Sequence, residues 1–262
     1  MPRSTWTSVL PLLCCCAPPP EPAPADLAEN LRWHWLRAAD AEDAVLLDGL
    51  AALSAAAKAE GRAQPLKGQL PLRLRREDLR AVGLQDGEDP ARARGLLLLH
   101  PLPGCTLSTV APLLSSATQA VHPDLYDAYA RVFDGDEAAF LDGRAQRLGW
   151  DAQFQARLPV EDRYTANVRG ELRRVAGRAL VQRSWLRGPA TFGEGSGSRF
   201  PQDYGVELFF EAPSGRLFHA LAAWRELHVG SLGLSTEDDA VFAPMLDRLV
   251  ELDAELGRAC GG

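Results

Sequence analysis

The stretch HPLPGCTLST, residues 100–109, sets a cysteine five residues after a histidine and at the start of an apolar, helix-forming run. A thiol catalyst needs that arrangement: a helix N-terminus favours the thiolate of Cys105, and the imidazole of His100 can accept its proton. The same residues also have a plain structural reading. Pro101, Pro103 and Gly104 make a strand-to-helix turn, Thr106 or Ser108 caps the helix, and His100 closes a buried strand. The structural reading is the stronger of the two, so no residue is assigned to catalysis. Cys105 has another use in an exported chain. Apart from the cysteines near the N-terminus, only Cys105 and Cys260 remain, and a disulfide between them would pin the C-terminal tail.

Other chemistry is poorly supplied. DGDE, residues 134–137, lacks the oxygen spacing and downstream glutamate of a calcium loop, and reads as helix capping. His219 and His228 are nine apart, which puts them on opposite faces of a regular strand, so no metal is expected. GEGSGS, residues 193–198, lacks the Gly-Lys-Ser/Thr ending of a phosphate loop, and no dinucleotide fingerprint appears, so no cofactor is expected. A formal net charge of −7 argues against nucleic acid as a partner. Lys58 and Lys67 are the only lysines among 28 basic residues, which codon bias explains without an arginine-built site.

Three cysteines, Cys14 to Cys16, stand between a short apolar run and a proline-rich stretch. Arg3 supplies a positive start, and Trp6 to Leu13 an apolar segment broken by Pro11. The segment resembles the signal of a bacterial lipoprotein, in which a cysteine is lipidated after cleavage. Leu13 lies three places before Cys16, so the resemblance implies lipidation at Cys16. Residues 17–25, APPPEPAPA, then form an extended spacer that holds a folded body off a membrane. This organisation implies a membrane partner through the anchor and a place in the cell envelope. The alternatives are cysteines acylated in place on a cytoplasmic protein, or an N-terminus with no such role.

Residues 26–262 are expected to form a single α+β domain, helix-rich over 26–158 and sheet plus helix over 159–262. Asp26 starts a helical stretch to residue 59. Residues 66–74 alternate as a strand whose Pro71 marks a sheet edge, and GLLLLHP is a buried strand. A helix follows from Thr106 to about Val121, bent or split at Pro112. Residues 122–150 read as two short helices joined at Asp134-Gly135. Beyond 159 the pattern changes to an antiparallel meander. Tyr164, Ala166, Val168 and Leu172 share one face, Ala179, Val181 and Trp185 another, and hairpins turn at Gly177 and at APSG. Phe242, Met245, Leu246, Leu249 and Leu256 make the apolar stripe of a long final helix.

A meander packed on a long C-terminal helix is similar to the helix-grip arrangement of START-type lipid- and ligand-binding domains. That resemblance implies an apolar ligand, or a protein partner, held between sheet and helix. The lining is expected from Tyr164, Val168, Val181, Trp185, Phe210 and the final helix. Two other functions stay open: a thiol-dependent hydrolase using Cys105 and His100, and a structural interaction module with no small ligand.

Overall fold

Asp26 accepts a hydrogen bond from the Glu29 amide at 3.0 Å and so begins α1 (Leu27–Arg37). The computed structural model describes residues 22–59, 65–84, 87–118, 121–122, 125–158 and 163–261. Cys14, Cys15, Cys16 and most of the proline spacer lie outside the described residues. The first helical stretch is broken by a turn at 38–42, and α2 (Asp43–Ala59) follows. Then come β1 (Leu66–Leu70), α3 (Arg76–Ala81), β2 (Arg94–Pro101) and α4 (Leu107–Leu114). Thr106 caps α4, which stops seven residues short of Val121, two residues after Pro112.

The segment read as two helices is mostly strand: β3 (Tyr126–Asp134) and β4 (Arg147–Arg157) enclose one short helix, α5 (Glu137–Leu141). The reason lies in Arg131. In β3 the half-buried positions alternate through Tyr129, Arg131 and Phe133. A charged residue at an inward position hides a period of two from any reading based on hydrophobicity. The rest is β5 (Arg163–Val175), β6 (Ala179–Leu186), β7 (Thr191–Phe192), β8 (Arg199–Glu211), β9 (Leu217–Val229), β10 (Leu234–Ser235) and α6 (Asp239–Cys260).

All strand pairs are antiparallel, in the order β1-β2-β9-β8-β6-β5-β4-β3, with β10 beside β9 and β7 beside β5. Strands β3 to β9 thus run as one meander, and the β1–β2 hairpin joins its far side, leaving β1 at an edge. The mixed class, with an antiparallel meander and a long C-terminal helix, is as the sequence predicts.

Both faces of the sheet are covered. Val206, Leu208 and Phe210 of β8, with Ala222 and Trp224 of β9, pack beneath α1 and α2. Arg173 ties this side by donating to the Ala38 carbonyl and to Asp43. The alternate residues turn the other way. Leu148, Trp150, Leu172, Leu180 and Phe209 pack with α4, α5 and α6, and Leu96 and Ala223 pack against Phe242 of α6.

Helix α6 is fastened at both ends. Near its start, Arg94 donates to the carbonyls of Thr236 and Glu237, each at 3.0 Å, and its guanidinium lies 3.7 Å from the centre of the Phe242 ring. At its end, Cys260 is joined to Cys105 by a disulfide with a Cα–Cα distance of 5.1 Å.

Candidate functional site

A cavity of about 290 Å³ lies between α6 and the sheet face that α6 covers. Its wall takes residues from β2, β9, β8, β6, β5, β4 and β3, which are consecutive in the sheet. Seven flat strands would span about 29 Å at the usual spacing. A cavity this small can touch all seven only because the sheet curls around it. A second space of about 440 Å³ adjoins the first, with Tyr126, Phe154, Val168, Asp203, Arg225 and Leu249 common to both. The outer space is apolar, walled by Leu186, Phe200, Leu227, Val229 and Met245 among others.

The inner space carries more polar groups than the outer one, and the strand register explains why. Inward positions of β8 hold Asp203, Gly205 and Glu207, those of β9 hold His219 and Arg225, and those of β6 hold Gln182 and Ser184. Gln182 sits opposite Glu207 and donates to it at 2.8 Å. His219 Nδ1 donates to Asp253 of α6 at 2.6 Å, and its Nε2 stands 3.4 Å from Glu207. His100 bonds the second oxygen of Asp253 at 2.9 Å. The His219 ring also stacks flat on Phe209, with centroids 4.2 Å apart.

Burial works against a charge on His219, but Asp253 and Glu207 overcome it and hold its pKa up at about 10. Burial likewise opposes charge on Asp253, yet His219 and His100 bring it down to about 2. The two shifts agree on a buried ion pair. Farther along the same two strands, Arg225 of β9 pairs with its cross-strand neighbour Asp203 of β8 at 2.6 Å. Arg131 donates to the Leu114 carbonyl at 2.6 Å and lies 4.3 Å from the centre of the Trp150 ring. Burial, with neighbouring Tyr164 and Tyr129, raises the pKa of Tyr126.

Of the residues that the sequence offered as a lining, Tyr164 and Val168 are on the cavity wall. Val181, Trp185 and Phe210 are not. They face the opposite side, where Trp185 meets Trp35 edge to face at 6.4 Å. With helices on both faces, the sheet buries apolar side chains in both directions, so alternation could not tell which set faces α6. Cys105 is bonded to Cys260, and His100 is turned to Asp253, so the histidine–thiol pairing is not formed. His228 bonds Glu226 at 3.0 Å, away from His219. No cluster of metal-binding side chains occurs among the described residues.

Sequence reasoning missed Gln182, Glu207, His219, Arg225 and Asp253 as a group. A partial signal was present: Asp203 and Glu207 of β8, and His219 and Arg225 of β9, fall on one face of their strands, with Gly205, Leu221 and Ala223 between them.

No protein-family model matches the chain, and no similar curated protein is found. Among solved structures, the chain is similar to a fragment (25–204) of a STAR-related lipid transfer protein from Xanthomonas axonopodis. The two are 13% identical, the match covers 63% of this chain and 86% of the other, and the TM-score is 0.38. At that level the likeness carries no weight for function.

Proposed function

We propose that this chain binds a small apolar or amphipathic molecule between its sheet and α6, and that a lipid on Cys16 holds it at a membrane of the cell envelope. The observation that carries the first part is the pair of adjoining spaces under α6, the outer one apolar and the inner one bearing a few buried polar groups among apolar walls. Its size is in the range of small-molecule sites, with a few converging polar groups among apolar walls. The tether is supported by Leu13 three places before Cys16 and by the proline spacer before the first helix. No helix among the described residues is long and apolar enough to cross a membrane. A lipid chain would supply the attachment.

Thermal melting with an apolar fluorophore, N-phenyl-1-naphthylamine, tests the binding. A ligand that binds only the folded state at 100 times its Kd adds about 2.7 kcal/mol, or roughly 5 to 10 °C for a domain of this size. A melting temperature unmoved by this probe and by a panel of lipids would favour the structural module instead. The thiol-hydrolase reading loses support because the Cys105 sulfur is bonded to Cys260.

A further inference from the structure

The two edges of the sheet are finished differently. At one edge β1 is only five residues long, stands between Pro65 and Pro71, and pairs its Lys67 with Asp247 of α6. A short strand, flanking prolines and a lysine are devices that keep an edge from recruiting another strand. At the other edge β3 has nine residues, with neither proline nor lysine among them. Among the described residues its backbone is hydrogen-bonded to β4 alone.

The outward side chains of β3, Ala128, Ala130 and Val132, are exposed. Val132, at 69%, is one of two large hydrophobic side chains so exposed among the described residues. Two other safeguards of an edge do not protect this one. The register shift lies at the first end, between Tyr126 and Ala128, and leaves 128–134 regular. Arg131 is charged and points inward, but the Leu114 carbonyl and the Trp150 ring hold its guanidinium.

A free edge offers a row of N–H and C=O groups to another strand, and β3 is suited to a second copy of itself. Antiparallel pairing about Ala130, its middle residue, brings the whole of both strands together. Ala128 then faces Val132 of the second copy at two places, and Ala130 faces its own counterpart, so the outer face of the join is apolar at its centre. On the inner face Arg131 falls opposite Tyr129 of the second copy. Centring on Arg131 instead would oppose two guanidinium groups. At each end Asp134 comes near Asp127 of the second copy, but Arg169 is already paired with the one, and Arg157 and Arg163 with the other. We propose that two copies of this chain join β3 to β3 in this register and so form one continuous sheet. Strands this short bury less than the roughly 1,200 Å² at which stable interfaces begin, so the dimer is weak, with a Kd on the order of 10 to 100 µM.

Sedimentation equilibrium from about 5 to about 500 µM, a range that brackets this Kd, tests the pairing. The full chain carries Cys14→Ser, Cys15→Ser and Cys16→Ser, so that neither a lipid nor an N-terminal thiol joins two copies. It should pass from monomer to dimer across the range. Ala128→Lys with Val132→Lys sets like charges opposite each other at both places and should weaken association about tenfold or more. Ala128→Glu with Val132→Lys sets opposite charges there and should restore it. Ala130→Cys, on the two-fold axis, should oxidise to a cross-linked dimer. Val132→Cys should not, because in this register the two sulfurs are about 14 Å apart along the strands. A loss of folding in the lysine variant would show in its melting temperature, and the two cysteine variants would then decide. A chain that stays monomeric throughout would overturn the proposal and leave the β3 edge to a strand of another protein. Dimers indifferent to the paired lysines, or cross-linked as readily through position 132 as through 130, would put the interface elsewhere and overturn it too.

Discussion

Nδ1 of His219, on β9, lies 2.6 Å from Oδ1 of Asp253, on α6, and 4% of either side chain is exposed. The pair joins the helix to the sheet at the floor of the cavity, and a second buried histidine works against it. His34 in α1 is fully enclosed, and burial brings its pKa down to about 4 despite a hydrogen bond to the Asn30 carbonyl.

These two histidines set the expected dependence of stability on pH. His219 is raised from 6.5 to about 10, so its contribution is complete below pH 6.5 and is lost as pH rises towards 10. His34 is lowered from 6.5 to about 4, so its contribution is complete above pH 6.5 and is lost as pH falls towards 4. Their combined contribution is greatest near pH 6.5, with limbs that approach about 1.4 kcal/mol per pH unit for each proton. Denaturant melts from pH 4 to 10 check this. Asp253→Asn should flatten the alkaline limb and leave the acid limb in place; an alkaline limb kept in that variant would refute the assignment.

The bridge between Cys105 and Cys260 closes a loop of 155 residues. Replacing Cys260 by Ser, or reducing the bond, should lower stability by about 2 to 5 kcal/mol. Because Arg94 still holds the other end of α6, the helix should fray from its C-terminus. Amide exchange would then rise over residues 250–260 before the rest of α6, and uniform protection along the helix would contradict this.

Trp150 reaches the cavity wall by lying on the backbone of its cross-strand partner Gly170. A Cβ at position 170 would stand 2.1 Å from Cζ2 of the indole, far inside contact distance, and the tightly packed neighbours leave the ring little room to retreat. Gly170→Ala should therefore cost about 1 to 3 kcal/mol and displace Trp150, with a changed near-ultraviolet circular dichroism spectrum. An unaltered spectrum and melting temperature would show that the ring is not seated there.

Cys16, the proposed site of the tether, lies outside the described residues. Labelling with a fatty-acid probe in a bacterial host should follow the wild type and be abolished in Cys16→Ser. Labelling that persists undiminished in that variant would count against Cys16 as the lipidated residue.

Much of the architecture follows from short-range sequence. Asp26 before a helical stripe, Gly177 between two alternating runs, the APSG turn and the 242–256 stripe each act over a few residues, and each appears where those residues predict. Local hydrogen bonding and backbone preference need no distant partner. The functional region is different. Leu96 pairs with Ala223 across more than a hundred residues, and that pairing, not either strand alone, chooses which face turns towards α6. Val181 and Val168 look alike as sequence, yet only Val168 reaches the cavity. Asp203, Glu207, His219 and Arg225 are polar residues on otherwise apolar strands, and hydropathy cannot distinguish a charge facing water from one facing a buried partner. Only the curling of the sheet around α6 brought Asp253 to His219, and burial then turned these polar residues into the inner wall of the cavity.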